Sequence, residues 1–262
     1  YSDKSALNIK LKESARSKWR STLNVAAGYA DSSYAGGTAA AYDAALFTMN
    51  IGGKTNWMIS AKANNVGVPI IKELTSFDDY NGFSSADYTS IEYLSGSPSY
   101  SPLGSRRNRL GNTQLFNLTN NEQIGEDYQL TTNAYYLRED LRSAAGAYTT
   151  YFLYDNSKRY VVEEENGNLE RFSAHIDSKL VANTDNFYFT DQLSGDFGVK
   201  NTDIFTRGSY SNSQRFKMPD LLMNNNFSFV KNFGKSTLSI ESVNKFSSKP
   251  HNLSVVRYPD DI

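Results

Sequence analysis

Cysteine is absent from this 262-residue chain. That excludes a disulfide framework and any thiolate metal site. The chain has two histidines, too few without cysteine for a metal centre. No run of ~18 apolar residues occurs, so there is no transmembrane helix, in keeping with a mean hydropathy of −0.55. Net charge is −1 with no basic stripe, which argues against nucleic acid as a partner. Gly-x-Ser-x-Gly, the phosphate-binding P-loop and His-Glu-x-x-His are all missing. The chain therefore reads as a non-enzyme without a cofactor. Its first residues carry no signal-peptide pattern, and Tyr1 opens in mid-pattern, so a processed or partial chain is expected.

What the chain does have is aromatic residues, 18 Tyr and 15 Phe, and period-two alternation. From Arg171 to Lys200, Phe172, Ala174, Ile176 and Leu180 alternate with Arg171, Ser173, His175, Asp177 and Lys179. After the polar break Asn183-Thr184-Asp185 the alternation resumes with Phe187, Phe189, Leu193 and Phe197. Side chains of a strand point to opposite faces, so this is a long antiparallel hairpin with one apolar and one polar face. Further strands are expected at Trp19–Tyr29, Ala44–Ile51, Trp57–Asn64, Leu110–Asn120, Tyr128–Tyr136, Leu221–Lys231 and Ser236–Phe246. Gly52-Gly53-Lys54 is a hairpin turn.

The connections alternate in length. Short turns are expected at 52–54, 121–127, 183–185 and 232–234. Long loops are expected at 66–109, 139–168 and 199–215, and from 249 onward. Inside 139–168, Thr149–Tyr154 and Arg159–Glu163 form a small hairpin of their own. Short turns at one end and long loops at the other mark an outer-membrane barrel. Trp57, Tyr128, Phe187 and Phe229 collect beside the short turns, and Tyr29, Tyr136 and Phe172 near the long loops, as two aromatic girdles would. Leu23, Val25, Phe47, Met49, Ile59, Ile176 and Leu180 are read as lipid-facing. Arg20, Asn24, Lys62, Arg171, Asp177, Glu241 and Lys245 are read as facing water or a plug. The fold class is all-β, an antiparallel up-and-down transmembrane β-barrel with about nine strands present.

Four stretches, ALNIKLKE (residues 6–13) before a Trp-containing strand, NTQLFNLTNNEQIGEDYQLTTNAYYLRED, TTYFLYD and MNNNFSFVKNFGKSTLSIESVNKFSS, resemble the TonB-dependent receptors of Bacteroidetes-type bacteria. The resemblance is cumulative and covers nearly the whole chain. It implies a barrel of about 22 strands around an N-terminal plug, in the bacterial outer membrane. It also implies active uptake of a nutrient (glycan, peptide or chelate) powered by the TonB complex. On this resemblance residues 1–13 are the end of the plug, with Leu7–Lys12 its last strand, and 14–262 the first part of the barrel. The partners it implies are outer-membrane lipid, the TonB complex and a surface lipoprotein lid. A soluble all-β adhesin or carbohydrate-binding module is the alternative, and a plugless passive porin a third reading.

Within 66–109, Tyr80, Tyr88, Tyr93 and Tyr100 are interleaved with Asp78, Asp79, Asn81, Asp87 and Glu92. Aromatic rings beside hydrogen-bonding groups suit sugars or peptides, so these four tyrosines are the candidate substrate-binding residues. The plainer alternative is that they pack the loop on itself. His175 falls on the polar parity and reads as a solvated residue. Glu163-Glu164-Glu165 reads as a loop tip, with calcium binding as the alternative. No metal-binding residue is assigned.

Overall fold

The computed structural model describes residues 18–29, 40–68, 70, 110–155, 157–208 and 211–258. Among these the only regular element is the strand. They run in the order β1 (Lys18–Tyr29), β2 (Ala40–Ile51), β3 (Thr55–Asn64), β4 (Leu110–Ile124), β5 (Tyr128–Phe152), β6 (Lys158–Asn183), β7 (Phe187–Arg207), β8 (Ser211–Phe233), β9 (Ser236–Ser248) and β10 (Asn252–Tyr258). Each pairs antiparallel with the next in sequence as far as β9, an up-and-down meander. Among the described residues the sheet does not close: β1 pairs on one side only, and so do β9 and β10.

Ten strands occupy nine positions. β9 pairs with β8 from Phe233 back to Leu221, and β10 continues the same line from Lys217 back to Ser211. The expected loop after residue 249 is therefore a second half of the last strand. The break, Lys249-Pro250-His251, lies opposite Met218-Pro219-Asp220. Proline has no N–H to give a ladder and is confined to sheet edges and interruptions. Lys249 Nζ holds Asp220 Oδ2 across the gap at 3.2 Å, and the His251 ring lies 6.0 Å from that of Phe216.

Four tight turns, at 52–54, 125–127, 184–186 and 234–235, sit at one end. Gly52, Gly125 and Gly234 have φ of 108°, 69° and 68°, the left-handed region that lets a glycine close such a turn. The other end corrects the expected loops at 139–168 and 199–215. β5 and β6 run unbroken for 25 and 26 residues, and their register reaches Phe152 opposite Lys158. The small hairpin expected at Thr149–Tyr154 and Arg159–Glu163 is the tip of this long one. At its turn Asp155 Oδ1 accepts from Ser157 N (2.9 Å) and Ser157 Oγ (2.6 Å), which holds the Asp155 carboxyl below its ordinary range. Likewise β7 and β8 extend to Arg207 and from Ser211, so 199–215 is mostly strand. The expected difference in loop length is here a difference in strand height. β4 also outruns its expected end, reaching Ile124. Glu163-Glu164-Glu165 is not a loop tip, since it pairs in β6 with Ala147, Gly146 and Ala145.

Candidate functional site

Residues directly opposite in an antiparallel ladder share a face. The register therefore assigns every side chain from β1 to β9. One row reads Leu23, Leu46, Ala61, Phe116, Tyr136, Ala174, Phe197, Leu221. The parallel row below it reads Ile59, Leu118, Ala134, Ile176, Gly195, Met223, Phe246. Together they form an apolar band across the sheet. Phe116, Ile176, Leu193, Phe197, Met223, Ile240 and Phe246 are all exposed on it.

Aromatic residues border the band on the same face. Trp19, Trp57, Tyr128, Phe187 and Phe229 lie toward the tight turns, with Phe187 and Phe229 stacked at 5.8 Å. Tyr29, Tyr136 and Phe172 lie toward the other end, with the Tyr136 and Phe172 rings edge to face at 5.5 Å. Beyond Phe172 this face turns charged, carrying Arg138, Asp140, Glu170, Asp203, Arg215 and Lys217. Arg215 Nε donates to Asp203 Oδ1 at 2.6 Å, and this contact raises the Arg215 pKa above its ordinary value. Within the band the polar exceptions include Asn225, whose Nδ2 donates to Asp191 Oδ1 at 2.7 Å.

The opposite face is polar and concave. Its side chains are the shielded ones, including Ser60, Asn64, Thr113, Asn117, Glu139, Asp177, Ser194 and Thr202. Their counterparts on the apolar face stand mostly half-buried or open. A twisted sheet of this many strands curls, and side chains on the inside of the curl crowd one another. All seven residues read as facing water or a plug lie on this side. So do Phe47 and Met49, which corrects the reading of both as lipid-facing. Phe47 pairs with Thr22 and Met49 with Arg20.

The concave side chains link across strands in register. Arg171 stands opposite Glu139, and its Nε donates to Glu139 Oε2 at 2.9 Å, with a second contact from Nη2. Glu139 is 1% exposed, so this is a buried carboxylate whose Oε2 is held by two guanidinium nitrogens of one partner. His175 Nδ1 lies 2.6 Å from Asp196 Oδ1, and its ring stacks on the opposite Tyr135 at 5.2 Å. Gln192 Nε2 donates to Asp177 Oδ2 at 2.9 Å. His175 is thus part of a polar ladder rather than a lone solvated ring. Among the described residues no group of three His, Cys, Asp or Glu could hold a metal ion.

Toward the tall end the concave face changes character. Leu115, Leu137, Leu141, Leu169, Ile204 and Phe216 are buried there. The chain leaving β3 lies over Leu115 and Leu137: Asn64 Nδ2 donates to Val68 O at 3.1 Å, Val66 bridges Gly111, and Ile70 packs on both leucines. Sequence periodicity missed this cluster because Leu141 and Leu169 sit among charged neighbours in segments read as loop. The candidate tyrosines Tyr80, Tyr88, Tyr93 and Tyr100 lie outside the described residues, as does Leu7–Lys12.

What the described sheet offers is a surface for apolar surroundings on one side, and aligned charges and amides for water or a polar solute on the other. No protein-family model matches the chain, and no curated protein matches it.

Proposed function

We propose that this chain forms part of an outer-membrane β-barrel that takes up a nutrient by TonB-dependent transport. The observation that carries the membrane reading is the zoning of one face, from the tight-turn aromatics through the apolar band to Tyr136 and Phe172 and then to charge. Trp19 and Tyr29 stand about 33 Å apart along β1 at ~3.3 Å per residue, or about 23 Å across a membrane at ~45° tilt, close to the ~25 Å apolar band of such barrels. The opposite face supplies the polar wall that a water-filled or plugged lumen needs. The two open sheet edges would be closed by further strands, since exposed edges invite unwanted pairing. The TonB-dependent part of the proposal rests on the resemblance of residues 6–13 and of the strand segments, and the nutrient is a glycan, a peptide or a chelate.

Asp191 and Asn225, polar groups on the apolar face, favour the second reading of a soluble adhesin or carbohydrate-binding module. Fractionation separates the two. A membrane barrel pellets with the outer membrane and leaves it only in detergent. Recovery of folded, monodisperse protein from buffer alone would contradict the proposal. Loss of uptake on deleting the TonB complex, with passive leakage unchanged, would distinguish it from a porin.

A further inference from the structure

β5 outruns β4. β4 reaches it only as far as Leu110 opposite Arg142, while β5 continues to Phe152 along β6. On the far side of β6, β7 stops at Arg207, opposite Glu164. Beyond Gly146 and Glu164 the hairpin is therefore a two-stranded ribbon, an arrangement marginal in water on its own. Its hydrogen-bond phase is fixed at both ends. Leu153 N donates to Ser157 O at 3.0 Å, and Asn183 N to Asp127 O at 2.9 Å. One unbroken register joins these pairs, so the odd-numbered residues of β5 exchange their hydrogen bonds with β6. The even-numbered ones turn N–H and C=O to the other edge. Up to Arg142 that edge meets β4. At Ala144, Gly146, Tyr148, Thr150 and Phe152 it meets no strand among the described residues.

The two edges of the ribbon are unlike. That of β6 carries Lys158, Arg159 and Glu163, whereas residues 143–152 of β5 include no charge and no proline, the devices that keep an edge from pairing. Tyr148 stands opposite Val162, and Thr150 opposite Tyr160. With Phe152 these rings form an exposed apolar patch on one face of the ribbon, and such patches mark interaction sites. We propose that this edge of β5 captures an extended peptide by strand addition. A row of backbone N–H and C=O groups at strand spacing is matched by another extended backbone. The peptide takes up the line that β4 leaves at Leu110, much as β10 continues the line of β9 beside β8. It runs antiparallel to β5, like every strand pair of the sheet. The side chains it sets beside Tyr148 and Phe152 are apolar or aromatic. Residues 144–152 span about 26 Å at ~3.3 Å per residue, enough for a peptide of about eight residues. On the membrane reading every copy of the chain runs β5 outward, so two such edges could meet only in parallel. That favours a separate peptide over a second copy, and it favours the peptide among the nutrient classes.

The choice of a separate peptide as occupant rests on the membrane reading, whereas the unpaired edge does not. The test uses the whole protein, in detergent or in buffer as it requires. The probes are fluorescent peptides of about eight residues in which threonine alternates with tyrosine, valine or leucine. Thr150→Pro removes an outward N–H that β6 does not use, at an edge position where proline is tolerated. Peptides with N-methylated amides lose their donors and leave the protein untouched. The expected result is saturable binding that slows amide exchange over residues 144–152. Thr150→Pro and N-methylation should each weaken it about tenfold or more, the scale of a lost hydrogen bond and a blocked edge. No saturable binding by any of these peptides overturns the proposal, and so does binding that survives either change. Slow exchange over 144–152 before peptide is added would show the edge already covered, and dimers dissolved by Thr150→Pro would show it taken by a second copy; either overturns the peptide. Any of these failures in a protein that still requires detergent leaves the membrane reading standing. A protein that stays in solution without detergent and binds the peptides as expected overturns the membrane reading and leaves the edge standing.

Discussion

Leu23 of β1 lies directly opposite Leu46 of β2, and two steps toward the tight turn Ser21 Oγ meets Thr48 Oγ1 at 2.8 Å. This register places Phe47 and Met49 on the concave side. A shift of one residue would exchange every side chain of β2 between the faces. The packing of β1 on β2 is thus set by a leucine pair and a hydroxyl pair rather than by the larger Phe47.

Glycine 111 is the position in β4 where the backbone admits no side chain. A Cβ there would lie 1.8 Å from Asp140 O, and φ is +147°. Gly111→Ala is expected to lower stability by about 2 kcal/mol or more. Gly28→Ala, where an added Cβ meets nothing within 4 Å, should stay within about 0.5 kcal/mol. Denaturant unfolding in detergent measures both.

Arg171 and Glu139 form a pair whose carboxylate is buried. Arg171→Met should cost about 3–5 kcal/mol, because it strands the Glu139 charge. Adding Glu139→Gln to Arg171→Met should recover most of that loss. A double-mutant cycle reads the coupling, and strictly additive losses would mean that the two side chains do not depend on each other.

Much of this architecture is legible in the sequence, for a physical reason. Where one face is apolar and the other polar, as in Phe172–Leu180 or Trp57–Ala63, period two announces a strand and its facing. Gly52-Gly53-Lys54 announces its turn through glycine. The signal fails where both faces are polar. Arg138, Asp140, Arg142 and Glu170 stand on one side of the tall hairpin, and Glu139, Arg171 and Glu163 on the other, so no contrast alternates. It fails at Ala40–Ala45, where small residues on both faces leave the register of β2 open. It fails again at Lys249-Pro250-His251, where proline suggests a loop although the strand resumes two residues later. The Glu139–Arg171 pair spans 32 residues of chain, and only the register of β5 on β6 joins them.

Facing can be checked by adding charge. On the membrane reading, Ile176→Arg at mid-strand on the apolar band should cost about 2–4 kcal/mol in the bilayer. Asn226→Arg, on an exposed position of the concave face, should change stability by about 0.5 kcal/mol or less. Equal damage would mean that both faces are packed against protein.

The tall end is placed outside the cell by the same reading. Tyr154→Cys, at the tip of the β5–β6 hairpin, should react with an impermeant thiol reagent on intact cells. Thr184→Cys, in a tight turn, should react only after the outer membrane is opened. The reverse order would invert the topology.

The central claim is that one face of this sheet meets lipid and the other meets water. Nitroxide labels placed one at a time from Ser173 to Leu180 in β6 test it directly, in the protein reconstituted into bilayers. Labels at 174, 176, 178 and 180 should collide with oxygen and be shielded from a water-soluble nickel chelate. Labels at 173, 175, 177 and 179 should show the opposite preference, giving a period of two along the strand. Nickel accessibility as high at 176 as at 175 would contradict the account.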